Sequence, residues 1–102
     1  MGESLLSLLS MVDMAKQALE ARRLLQIGRK GHATVMAVRD TGVIVDENPQ
    51  AELDLQVDVD GVDPYEVTHR QVISRVAIDS FWPGAKVPIR VDPQDPRNVL
   101  VA

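Results

Sequence analysis

The spacing of hydrophobic and polar residues changes from a helical period to a period of two near His32. From Ser4 to Ile27 there is no proline or glycine, and Ala, Leu, Met, Gln, Arg and Lys, all good helix formers, predominate. This predicts a helix over about Ser4–Ile27, with Ser4 as N-cap and Arg22, Arg23 and Gly28 suited to its C-terminal end. At about 100° per residue, Asp13, Lys16, Gln17, Glu20 and Arg23 share one face, and apolar residues cover about half the circumference. Two apolar stripes can be traced, Leu5-Leu8-Val12-Ala15-Leu19 and Met11-Met14-Ala18-Ala21-Leu25, and one narrow seam would not need both. The amphipathic helix is therefore expected to touch its own domain and a second copy of the chain. Leu5, Leu8, Met11, Val12, Ala15 and Leu19 are the candidate oligomer contacts, while Met11, Met14, Ala18 and Leu25 are expected to turn toward the domain or a further copy.

After a short basic linker, residues 28–31, the pattern becomes that of strands. Ala33–Val38 reads as a first strand, with a turn at Asp40-Thr41-Gly42 leading into Val43-Ile44-Val45. Leu53, Leu55, Val57 and Val59 alternate strictly with Glu52, Asp54, Gln56, Asp58 and Asp60, which puts the aliphatics on one face and the acids on the other. Tyr65, Val67 and His69 continue the alternation, and Val87-Ile89-Val91 and Val99-Leu100-Val101 supply two more strands. Pro88 removes a ladder donor, so Lys86–Val91 is expected at a sheet edge or near a bulge. Gln71–Asp79 fits either a short helix or a strand. The fold predicted is α+β: an N-terminal helix (residues 1–27), the linker, and a small antiparallel β-barrel of five or six strands, OB-like or SH3-like, over residues 32–102.

The chain of 102 residues has the length of one domain. Aromatic residues make up only 3 %, so the core must be aliphatic. Without cysteine there is no disulfide, thiolate metal site or cysteine nucleophile, which fits a reducing, cytoplasmic setting. A net charge of −4 opposes binding along a phosphate backbone, where Lys and Arg must replace condensed counterions, and no nucleic-acid partner is expected. Leu5–Val12 is apolar, but Glu3 precedes it without Lys or Arg, and it is shorter than the roughly 20 residues that cross a bilayer. No membrane span is expected. Leu6 stands where a myristoylation signal needs Ser or Thr, so lipidation is not expected either. A peripheral contact of the helix with a membrane surface is the rival to self-association, and the mixture of Asp13 and Glu20 with Lys16 and Arg23 argues against it.

The acidic stretch DLQVDVDGVDPYEV, Asp54–Val67, imitates a calcium loop. Aligned on Gly61, however, it has Gln56 at the first ligand position and Val67 at the twelfth, where a bidentate Glu is required. The solvent face of a strand followed by an Asp-Gly turn explains the same residues without a metal. His32 and His69 have no partner motif for metal or nucleophile chemistry, and a local hydrogen bond at a strand end is the expected role of each. Gly28-Arg-Lys-Gly31 follows a helix and lacks P-loop order. No catalytic, metal-binding or cofactor-binding residue is assigned, and no cofactor is expected. Phe81 and Trp82 either both join the core or divide, one ring plugging the barrel while the other is exposed; Trp82 is the candidate exposed contact.

Pro83-Gly84, a strand ending in Val91-Asp92-Pro93, a second Asp95-Pro96 and a final aliphatic strand, together with Gly31–Val35, Thr41-Gly42, Asn48-Pro49 and Pro64–Val67, resemble an uncharacterised bacterial family of small β domains, the domain of unknown function 3592. The resemblance covers about residues 31–102 and implies a compact antiparallel barrel, found beside membrane segments or other modules, with no established activity. The function expected is a non-catalytic assembly or protein-interaction module that self-associates through its helix. A barrel binding nucleic acid or oligosaccharide is the alternative, and an enzyme the third.

Overall fold

The computed structural model describes the backbone of residues 2–102 and the side chains of residues 15–102. One helix, α1 (Gly2–Ile27), precedes five strands: β1 (Arg29–Val45), β2 (Asn48–Asp58), β3 (Tyr65–Val72), β4 (Lys86–Asp92) and β5 (Asp95–Val101). The strands form one antiparallel sheet in the order β3-β2-β1-β4-β5, curled until β3 and β5 approach each other. The long β1 is shared by both halves, pairing with β2 along most of its length and with β4 over Arg29–Thr34. Of the two architectures expected, this order is the OB-like one.

Alternation on β2 carries the core. Ala51, Leu53, Leu55 and Val57 are buried, and Glu52, Asp54, Gln56 and Asp58 face outward. Val35, Ile89, Val91 and Val99 meet them, so the interior is aliphatic, with Tyr65 and Phe81 packed only at its margin.

Several boundaries differ from expectation. The linker shrinks to Gly28, because β1 begins at Arg29. Gly28 donates to the Leu24 carbonyl at 2.8 Å to close the last helical turn, and a Cβ there would lie 2.4 Å from that carbonyl oxygen and 2.9 Å from Cβ of Arg90. Asp40-Thr41-Gly42 is a bulge within β1 and not a turn: Gly42 has φ +82°, its N–H bonds the Asp40 carboxylate at 2.8 Å, and the strand continues to Val45. The chain reverses at Asp46 and Glu47, both at positive φ, as a two-residue hairpin loop requires. Strand β4 is not an edge but interior, and of the two alternatives expected for Lys86–Val91 the bulge holds: its pairing with β5 shifts register between Val91 and Asp92. Pro88 sits opposite His32 of β1, and its carbonyl turns toward β5 to accept from the N–H of Ala102. Its missing donor therefore points to the same side, at the last position of the β4–β5 ladder, where the lost bond costs least. Residues 71–79 are neither wholly helix nor strand: Gln71 and Val72 end β3, a turn follows, and Ile78–Ser80 form a 3₁₀ turn.

Candidate interaction surface

Helix α1 meets the barrel along the side expected to be polar. Leu24, which belongs to neither apolar stripe, is 2 % exposed against the sheet. Around it lies a polar clamp. Arg23 bonds both Glu20, at 2.6 Å, and the buried Asp92 at the end of β4. Asn98 of β5 donates to Glu20 at 2.7 Å and to Asp92 at 3.2 Å. The N–H of Gln94 and the Arg23 guanidinium hold the Asp92 carboxyl below its usual range, so it stays charged and its partners stay paired. Arg90 completes the attachment by donating to the Leu25 carbonyl at 3.0 Å, where the helix has unsatisfied acceptors.

The stripes lie elsewhere. Ala15 and Leu19, the members of the first stripe whose side chains are described, are exposed, Leu19 by 66 %. Leu5, Leu8, Met11, Val12 and Met14 lie outside the described side chains. In the second stripe Ala18 and Leu25 are exposed and Ala21 is half-buried, so Leu24, and not Leu25, is the leucine that packs on the barrel. Its position among Gln17, Glu20 and Arg23 gave no apolar periodicity to find it by.

Beside the clamp, α1 and the β3–β5 seam flank an open groove of about 410 Å³. The two strands share no ladder there, and side chains bridge them. Near one end Tyr65 donates to the Pro96 carbonyl at 2.7 Å. Near the other the Gln71 amide donates to the Val101 carbonyl and accepts the Val101 N–H, each at 3.0 Å. His69 stands on the same strand face and contacts the Gln71 oxygen at 2.8 Å through Nε2. This local bond is the kind expected of a strand-end histidine. Both residues occupy the inward face marked by Val67 and Ile73; Gln71 went unassigned because it falls where the periodicity breaks down.

Asp54, the first acid of that stretch, and Glu52 just before it are held by arginines. Arg39 grips Asp54 with two nitrogens at 2.7 and 2.9 Å and Glu52 with a third at 2.9 Å, while Arg70 reaches Glu52 at 2.7 Å. Arg39, with Thr68, lowers the Asp54 carboxyl to about 2, and Arg70, with Arg39, lowers that of Glu52. Carboxylates held this low are poor proton donors at neutral pH. Among the described residues no three His, Asp or Glu side chains are placed to share a metal ion. Phe81 and Trp82 divide: Phe81 packs on the core margin and Trp82 is 56 % exposed. Among the described residues no helix is long and apolar enough to cross a membrane.

No family model, curated protein or solved structure matches this chain. The resemblance to the small β-domain family rests on its motifs alone.

Proposed function

We propose that the protein is a non-catalytic assembly module, built from an OB-like barrel and a helix that joins it to a second copy of the chain. One observation carries this reading. The barrel engages α1 through Leu24 and the Glu20–Arg23–Asp92–Asn98 clamp, and leaves Ala15 and Leu19 of the first apolar stripe in solvent. Apolar residues such as Ala15 and Leu19, left exposed by their own domain, are the material of a subunit contact. In a twofold pair of helices, Leu5, Leu8, Met11, Val12, Ala15 and Leu19 would face their counterparts. The low carboxyl pKa values of Asp54 and Glu52 support a non-catalytic reading, and the absence of cysteine fits a cytoplasmic site of action.

The exposed indole of Trp82 favours the second reading, a barrel that binds nucleic acid or oligosaccharide by stacking. It ranks behind because the net charge is −4 and Phe81 and Tyr65 are turned to the core margin. The discriminating experiment replaces Leu8 and Val12 together, or Leu19 alone, with Glu. Dissociation of an oligomer with unchanged β-type circular dichroism supports assembly through the helix; an oligomer indifferent to all three changes removes the helix from the account.

A further inference from the structure

His69 and Gln71 are polar residues on the inward face of an aliphatic barrel, and they leave one atom unused. The Gln71 side chain is fixed in orientation because its nitrogen must donate to the Val101 carbonyl and its oxygen must accept the Val101 N–H. Its oxygen is therefore the atom that meets Nε2 of His69, and Nε2 must carry the proton. The neutral imidazole then presents a bare acceptor at Nδ1, which has no partner among the described residues. No buried side-chain nitrogen or oxygen among those residues lacks a partner, so Nδ1 is open, and the ring lines the groove under α1.

The rest of the groove suits an uncharged occupant. Its apolar lining includes Leu24, Val72 and Leu100. Its charged groups are Glu20 from α1 and Arg70 from β3, opposite in sign and already engaged, Glu20 by Arg23 and Asn98 and Arg70 by Glu52. A volume of about 410 Å³ is that of a small-molecule site. We propose that this groove binds a small uncharged molecule whose apolar body lies on Ala21, Val72 and Leu100 and whose hydroxyl or amide N–H donates to Nδ1 of His69. The main-chain clasp on Gln71 sets the tautomer in advance, so binding requires no rearrangement of the acceptor. Leu19, the described leucine of the proposed self-association stripe, does not line the groove.

The probes are 4-methylphenol, an apolar ring with one donor, and toluene, the same body without it. Either is titrated into the full chain at pH 7.5 while the ring nitrogens of His69 are followed by NMR. A saturable Nδ1 shift with 4-methylphenol at millimolar concentration is expected, with toluene about tenfold weaker, as one hydrogen bond allows. The shift should survive Leu19→Glu, and 4-methylphenol should perturb the groove amides about tenfold more weakly in His69→Phe than in wild type. Equal binding of both probes overturns the proposal, as does an Nδ1 signal unmoved at the solubility limit; neither reading depends on a variant that must fold.

Discussion

Leu24 and Leu19 lie on opposite sides of one helix. Five residues, about 140° around the axis, separate a side chain 2 % exposed against the sheet from one 66 % exposed. Their truncations should differ accordingly. Leu24→Ala is expected to cost about 2–5 kcal/mol, because it removes buried methyl groups and leaves a cavity beside the clamp. Leu19→Ala should stay within about 0.5 kcal/mol in the dissociated protein. Chemical denaturation at low protein concentration compares them.

The seam makes a second prediction. Gln71 supplies the hydrogen bonds that a β3–β5 ladder would have supplied at Val101. Gln71→Ala leaves a part-buried donor and acceptor without protein partners and is expected to destabilise the barrel by about 1–3 kcal/mol. Amide exchange should report it as faster exchange at the Val101 N–H, with the β1–β2 ladder unchanged.

The pH dependence of stability isolates His69. Burial pushes its pKa below the ordinary value of 6.5, against the smaller opposing effect of its bond to Gln71. The unfolded chain therefore takes up the proton first as pH falls, and the folded state loses stability from about 6.5 downward until the folded group also titrates. Denaturation midpoints measured from pH 7.5 to 5 should decline, and His69→Gln should flatten that decline. An identical decline in the variant would assign it to other groups.

Binding of nucleic acid is expected to be weak. The net charge is −4, and Glu52 and Asp54 on the β2 outer face are held ionised by Arg70 and Arg39. Anisotropy with a labelled oligonucleotide at physiological salt should show no submicromolar affinity. Tight binding lost in Trp82→Ala would promote the ligand-binding reading over the assembly module.

The barrel was legible wherever one side of a strand is dry and the other wet. Leu53, Leu55 and Val57 against Glu52, Asp54 and Gln56 announced β2, and the scarcity of aromatics announced an aliphatic core. Turns were harder, because backbone conformation and residue type disagree at them. Asp46 and Glu47 adopt positive φ without the Asn or Gly that marks such loops, while Gly42, which looks like a turn residue, serves a bulge. The helix was legible as an element but not in its orientation. Charged residues on one face usually mean solvent; here Glu20 and Arg23 are spent on Asp92 and Asn98, partners 69 to 78 residues away in the chain. The groove was hidden for the same reason, since His69 and Gln71 acquire their roles from the Val101 main chain across the seam.

Self-association through the helix is the central claim, and the mass of the wild-type protein in solution tests it most directly. Size-exclusion chromatography with light scattering at tens of micromolar should give a multiple of the 11.2 kDa chain mass, falling toward the single-chain value on dilution. A single 11.2 kDa species at that concentration would contradict the account.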